Sequence, residues 1–172
     1  MHSAQLGTNE YHSYYQPYIS TLGDVELLPA LTDGKADFSD FINAIPKNKK
    51  DFRYQEGKWT VAEVLQHLID AERVFQYRAL RFSRGDKTPL PGFDQDDYVP
   101  ASRADQKTLT AIGDEFLAVR EASIHLFSSL NDDELQRIGV ASNADMSVRA
   151  LGFIICGHQE HHKRILEEHY LD

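Results

Sequence analysis

Between Thr60 and Gly85 the apolar residues of this chain recur with the period of an α-helix, and the stretch carries its own start and stop signals. Thr60 is followed three residues later by Glu63, the reciprocal pair of a capping box. Val61, Val64, Leu65, Leu68, Phe75, Ala79 and Phe82 then share one stripe, and Gly85 ends the run. A helix with one apolar face must bury that face against partners. Three other stretches supply them. One starts near Pro29, a residue tolerated at the first helical position, turns Leu31, Phe38, Ile42 and Ile45 inward and stops at Pro46. Gly34 weakens it unless a neighbour packs closely there. Another runs from about Asp105 to Leu130, with Leu109, Ile112, Phe116, Val119 and Leu130 inward. The last is capped by Ser147 and reaches to about Tyr170. No segment alternates with period two for long enough to build a sheet. The fold expected is all-α, a four-helix bundle with a long crossover between its second and third helices.

The connections are less regular. Residues 1–24 read as an irregular N-terminal arm whose tyrosines (Tyr11, Tyr14, Tyr15, Tyr18) pack against the body, residues 25–172. The crossover, Ser83 to Ala104, contains Pro89, Pro91, Pro100 and the acidic run Asp94-Gln95-Asp96-Asp97. Structureless loops of that length inside compact domains are uncommon and often functional. Asn131-Asp132-Asp133 caps a short turn, and Ile138 to Ala141 is briefly extended. With 172 residues, no internal repeat and no Gly/Ser linker, the chain reads as one domain. Its core is large enough to need no staple, so a metal would be functional rather than structural.

Composition removes several classes of function. The one cysteine, Cys156, excludes an internal disulfide framework and cysteine-rich zinc modules. It lies on the far side of its helix from His158 and reads as a structural residue. With 18 basic against 27 acidic residues the net charge is −9. The only basic cluster, Lys47, Lys49 and Lys50, is too small to neutralise a phosphate backbone, so no nucleic-acid partner is expected. No signal peptide or membrane span is read, and a cytoplasmic location is the expectation.

The histidines carry the chemistry. A helix advances about 100° per residue. On the last helix Leu151, Ile154, Ile155, His158, His162, Ile165 and His169 therefore share one arc, with His158 and His162 one turn apart at its centre. His161 lies at the flank, and His125 faces away from the apolar stripe of its own helix. His67 sits at the border of the second helix's stripe. Two histidines at i, i+4 and a third from a facing helix form a three-nitrogen site that leaves coordination positions open, the pattern of catalytic metals. The alternative reading, core histidines satisfied by backbone or by each other, stays open on spacing alone. Glu72 lies near the centre of the second helix's stripe, where a carboxylate must be paired. It could orient a histidine or pair with an inward arginine. Sharper motifs fail. In His158-Gln159-Glu160-His161-His162 the residue after the first histidine is Gln159, so the zincin order H-E-x-x-H is absent. His161 occupies the glutamate position of H-x-x-E-H, and no Glu-x-x-His pairs exist for a di-iron site.

Three stretches together resemble the DinB-like superfamily of metal-binding four-helix bundles, which is unrelated to the DNA polymerase of the same name. They are Gly57-Lys58-Trp59-Thr60 leading into Glu63 to Asp70, Leu90 to Tyr98 in the crossover, and Gly157 to His162 on the last helix. The resemblance spans the body from about residue 25 onward and leaves out the arm. It implies that His67, His158 and His162 hold one divalent transition metal, zinc or nickel first, with iron(II) or copper compatible. It also implies a homodimer. His161 matches a frequent family histidine that is not usually a ligand. Characterised members of the superfamily transfer or use low-molecular-weight thiols, and many others are named metal-dependent hydrolases.

The leading expectation is thus a metal-dependent thiol S-transferase of detoxification or stress response, with a low-molecular-weight thiol and an electrophilic small molecule as partners. Phe93 to Tyr98 would line or lid the pocket. Such thiols are anionic; Arg78 and Arg81 could meet them, although a solvated helix face is the expectation for both. A hydrolase would instead need a base, with Glu72, Asp70 or the Asp94/Asp96 pair as candidates; a solvated loop is the plain alternative for Asp94, Asp96 and Asp97. A third possibility, a metal-binding stress protein without chemistry, calls for a pocket sealed by bulky side chains.

Overall fold

The computed structural model describes residues 1–171. In chain order its helices are α1 (Gln16–Thr21), α2 (Leu27–Ala44), α3 (Val61–Ser83), α4 (Gln95–Ala101), α5 (Leu109–Ser128), α6 (Asp132–Leu135) and α7 (Val148–Leu166). A hairpin of β1 (Ile138–Ala141) and β2 (Ala144–Ser147) precedes the last helix. Three of the four long helices begin where a hydroxyl can satisfy their free N–H groups. Thr60, Thr108 and Ser147 accept from the N–H of Glu63, Ala111 and Ala150. The α3 capping box is complete, since the Thr60 N–H donates back to Glu63 at 2.7 Å.

Helices α2, α3, α5 and α7 pack as the bundle. Gly34 is excused within α2 by its neighbours: a methyl group there would stand 3.2 Å from Gln159 Nε2 and 3.3 Å from Arg120 Nη1. The apolar core divides in two. One cluster joins the N-terminal half of α7 to the C-terminal half of α3, through Phe75, Phe82, Leu151, Ile154 and Ile155. The other joins the opposite ends, through Val64, Leu65, Leu68, Phe116 and Leu166. The stretch of α7 between them, from Cys156 to Ile165, holds the histidines.

The arm and the crossover each contain one short helix. The arm is irregular up to Tyr15 apart from two short 3₁₀ turns, but it is docked throughout: α1 lies on α7, Glu10 pairs with Arg149, and the Ser147 N–H donates to the Glu10 carbonyl at 2.9 Å. A six-residue helix has little stability alone, so its helicity comes from that docking, helped by Pro17 in its first turn. The crossover likewise contains α4. Asp94 caps it by accepting from the Asp96 N–H at 2.9 Å, and Asp96 and Asp97 sit at its positive end. The acidic run is thus a helix start. Upstream, Leu90 pins the crossover to the hairpin, donating to the Val140 carbonyl and accepting from the Ser142 N–H. The hairpin is the small sheet that strict alternation could not show, because each strand is four residues long. Its turn residues Ser142 and Asn143 have φ of +53° and +60°, the left-handed values of a tight two-residue hairpin. The brief extension at Ile138 to Ala141 and the turn capped by Asn131 both form. The regular part of α7 ends at Leu166, and a π turn carries the chain on to Leu171.

Candidate metal centre

Helix α3 brings His67, and α7 brings His158 and His162, to one point. His158 Nε2 lies 3.1 Å from His67 Nε2 and 3.1 Å from His162 Nε2, and all three nitrogens fall within 4.8 Å of one another. His67 and His158 are buried, and His162 is half-buried. Burial drives the imidazoles toward the neutral form. It pulls His67 down to about 4 and, with the neighbouring rings adding to it, His162 to about 3; His158 falls well below the ordinary value. Neutral rings keep one lone pair each, which is what a metal needs. Nitrogens bonded at about 2.0–2.1 Å to one tetrahedral zinc stand roughly 3.3 Å apart, close to the spacing seen here. The residues therefore fit a divalent ion, and the same contacts also satisfy neutral imidazoles hydrogen-bonded to each other.

The other histidines lie elsewhere. The His161 ring packs 5.0 Å from Tyr18 and takes no part in the triad. His125 is exposed on α5. His12 accepts from the Tyr14 N–H at the start of a short turn.

A pocket of about 570 Å³ opens beside the triad. One face of α3 forms a wall, with His67, Ala71, Phe75 and Arg78 in succession. The crossover covers it with Phe93, Asp94 and Asp96, and the arm closes a side with Tyr14, Tyr15 and Tyr18. Tyr18 packs edge-on against His158 at 5.2 Å, and burial raises its hydroxyl above the ordinary tyrosine range. Phe93 packs on Tyr98 at 5.1 Å. Asp96 also reaches a second hollow, which His162 lines. Bulky side chains do not seal this site.

Glu72 does not face the pocket. It accepts from Arg120 Nε at 2.8 Å and Nη2 at 2.9 Å and from Ser123 Oγ at 2.8 Å, all buried. Of the roles open to it, pairing with an inward arginine is the one found. Asp70 is tied to Arg73 and Gln66. Arg81 pairs with Asp86 at the surface. Arg78 corrects the expectation of a solvated face: it is 2 % exposed and lines the pocket. Cys156 is buried away from the pocket, and burial pushes its thiol up to about 12, which makes it a poor nucleophile.

The residues that sequence reasoning missed are the arm tyrosines as pocket walls and Ser142 of the hairpin turn. One signal for the former was present. Gly157, beside His158, lets the Tyr18 backbone approach α7; a Cβ there would stand 2.2 Å from the Tyr18 carbonyl oxygen.

Residues 30–166 match the family described as the DinB superfamily. The chain belongs to the DinB superfamily. Its fold is similar to that of YfiT from Bacillus subtilis, described as a probable metal-dependent hydrolase with an unusual four-helix bundle topology. The TM-score is 0.72 at 16 % identity, covering 83 % of this chain and 82 % of that one. A mycothiol-dependent maleylpyruvate isomerase is also similar, with a TM-score of 0.68 at 10 % identity over 81 % of this chain and 60 % of that one. At these identities the likeness is one of fold. No curated protein matches the chain in sequence. None of the described helices is long and apolar enough to cross a membrane.

Proposed function

We propose that this DinB-superfamily chain is a metal-dependent thiol S-transferase, with His67, His158 and His162 as the metal ligands. The observation that carries the reading is a pocket of about 570 Å³ beside three convergent imidazoles. That space holds an organic thiol and an electrophilic acceptor, far more than one water requires. A divalent transition metal in that position, zinc or nickel first and iron or copper next, would supply positive charge that lowers a thiol's pKa. The protein's own groups do the remaining work. Burial of the triad keeps one nitrogen of each ring free of a proton at neutral pH. Phe75, Phe93 and the arm tyrosines offer the acceptor aromatic walls. In the transfer a carbon–sulfur bond forms, the acceptor's bond to its leaving group breaks, and the thiol proton leaves through the open mouth. The thiol requirement of one fold neighbour supports the choice of co-substrate.

A second reading, a metal-dependent hydrolase, is favoured by Asp94 and Asp96 on the pocket rim, two carboxylates able to take a proton from water. Turnover of an aryl halide by metal-reconstituted protein, with and without added thiol, separates the two. Product formed only with thiol supports the transferase. Turnover of ester or amide substrates without thiol would sink it and favour the hydrolase.

A further inference from the structure

Two arginines of this bundle are buried, and they differ in one respect. Arg120 is held by the Glu72 carboxylate. Arg78 is 2 % exposed and has no carboxylate partner among the described residues: Nη2 donates to the Pro91 carbonyl at 3.3 Å and to Ser142 Oγ at 2.9 Å, and the Tyr15 hydroxyl stands beside it. All three partners are neutral. A guanidinium stays charged, and a buried charge without a counter-charge is costly. Its remaining N–H groups are not sealed in protein either. Among the described residues, the buried side-chain atom left without a partner is Gln159 Oε1 rather than any nitrogen of Arg78. Those groups therefore open onto the pocket that Arg78 lines.

We propose that Arg78 is the binding residue for the carboxylate of an extended organic ligand whose other end lies at the histidine triad. Two features define that ligand. The first is charge. Asp94 and Asp96 lie on the same pocket's rim and would repel a dianion such as a phosphate monoester. One inner guanidinium in a pocket with two carboxylates on its rim calls for a monocarboxylate, or for a zwitterion whose cationic end meets the aspartates. The second is length. Eleven residues from His67 to Arg78 advance about 1100°, three turns and roughly 20°, so both side chains lie on one face of α3. The rise between their Cα atoms is about 16 Å. The Arg78 side chain leans back toward Phe75, its Cζ 6.0 Å from that ring's centre. The span left between cation and triad is on the order of 10 Å. Placing a thiol at the histidine end rests on the function proposed above; the carboxylate end does not.

Calorimetry with ω-mercaptooctanoate, its amide and plain octanoate tests this on metal-loaded and metal-stripped protein. The acids should bind about 10-fold or more tightly than the amide in both forms, as expected for charge-assisted hydrogen bonds. Mercaptopropionate, too short to reach both ends, should lose most of the advantage its thiol brings. Arg78→Gln should bring acid and amide to parity, and Arg78→Lys should restore part of the preference. Equal binding of acid and amide to the wild-type protein overturns the proposal, as does a preference that survives in Arg78→Gln. Should that variant fail to fold, the wild-type comparison and Arg78→Lys decide. An Arg78-dependent preference without thiol-dependent turnover would refute the transferase and leave the carboxylate subsite standing; turnover without the preference would refute the subsite alone.

Discussion

Replacing Gly157 by alanine sets two effects of opposite sign against each other. In a helix interior the change is worth about 1 kcal/mol of stability, because alanine loses less backbone freedom than glycine. Here the added Cβ would lie 2.2 Å from the Tyr18 carbonyl oxygen, 2.6 Å from its carbon and 3.2 Å from its Cα. Ordinary contact lies at about 3.5 Å, so α1 must retreat by more than 1 Å or detach. Because the atoms met are backbone, no rotamer change relieves the overlap. Detachment limits the cost: it exposes Ile19, now 6 % exposed, and part of Tyr18, worth about 2–4 kcal/mol together. The net expectation is a loss of about 2 kcal/mol, a fall in Tm of roughly 4–8 °C for a chain of this size. Gly113→Ala on α5 is the control, since its Cβ would meet Ile42 at an ordinary 3.5 Å. That variant should gain up to about 1 kcal/mol. Thermal melts of both, with hydrogen exchange at residues 16–21, read the outcome. A Tm that rises in Gly157→Ala as it does in Gly113→Ala would mean that α1 does not sit on α7 in solution, and the pocket wall built from Tyr15 and Tyr18 would go with it.

Other substitutions probe the remaining parts of the site. His158→Ala should abolish the metal content measured by elemental analysis, while circular dichroism of that variant and of chelated wild-type protein stays helical; loss of helix on chelation would make the metal structural. Arg120→Met leaves the Glu72 charge buried and should cost about 3–5 kcal/mol in urea unfolding, and a cost below about 1 kcal/mol would refute the buried pair. Burial alone would raise the Glu10 carboxyl, but hydrogen bonds from Arg149, Gly7 and Ser147 outweigh it and hold it below the usual 4.5. The folded state thus binds the proton more weakly than the unfolded chain, so this tether contributes fully above pH 4.5 and is lost as pH falls through the lowered value. Exchange in the arm should accelerate in that acid range ahead of the bundle, and Arg149→Met should show fast arm exchange already at pH 7.

The four long helices and three converging histidines were legible because each rests on a local rule. Caps and stripes depend on residues three or four apart, and His158 with His162 is itself such a pair. What stayed hidden depends on distant partners. Helix α1 has only six residues and becomes a helix by lying on α7; its clue, Gly157, sits 139 positions after Tyr18. The α4 start was written in Asp94, Asp96 and Asp97, but three prolines nearby made the whole crossover read as loop. Arg78 looked like a surface residue because a helical wheel knows nothing of a hairpin. Ser142 and the strand residue Val140, through Leu90, are what bring Pro91 over its guanidinium.

The same geometry explains why the bundle tolerates so many polar groups at its centre. Each is matched or neutral: Glu72 is paired with Arg120 and Ser123, and burial keeps the imidazoles uncharged. This polar band separates the two apolar clusters, and the bundle has enough core on either side of it to stay folded without filling it. Arg78 is the exception, a buried cation whose protein partners are all neutral, and it stands three helical turns from the triad on the same face of α3. A fold selected for packing alone would replace that arginine with an apolar residue of similar volume at little cost or a gain. Its presence at the far end of a pocket that begins at His67 and His158 is explained if both ends meet one ligand, with the pocket wall between them setting its length.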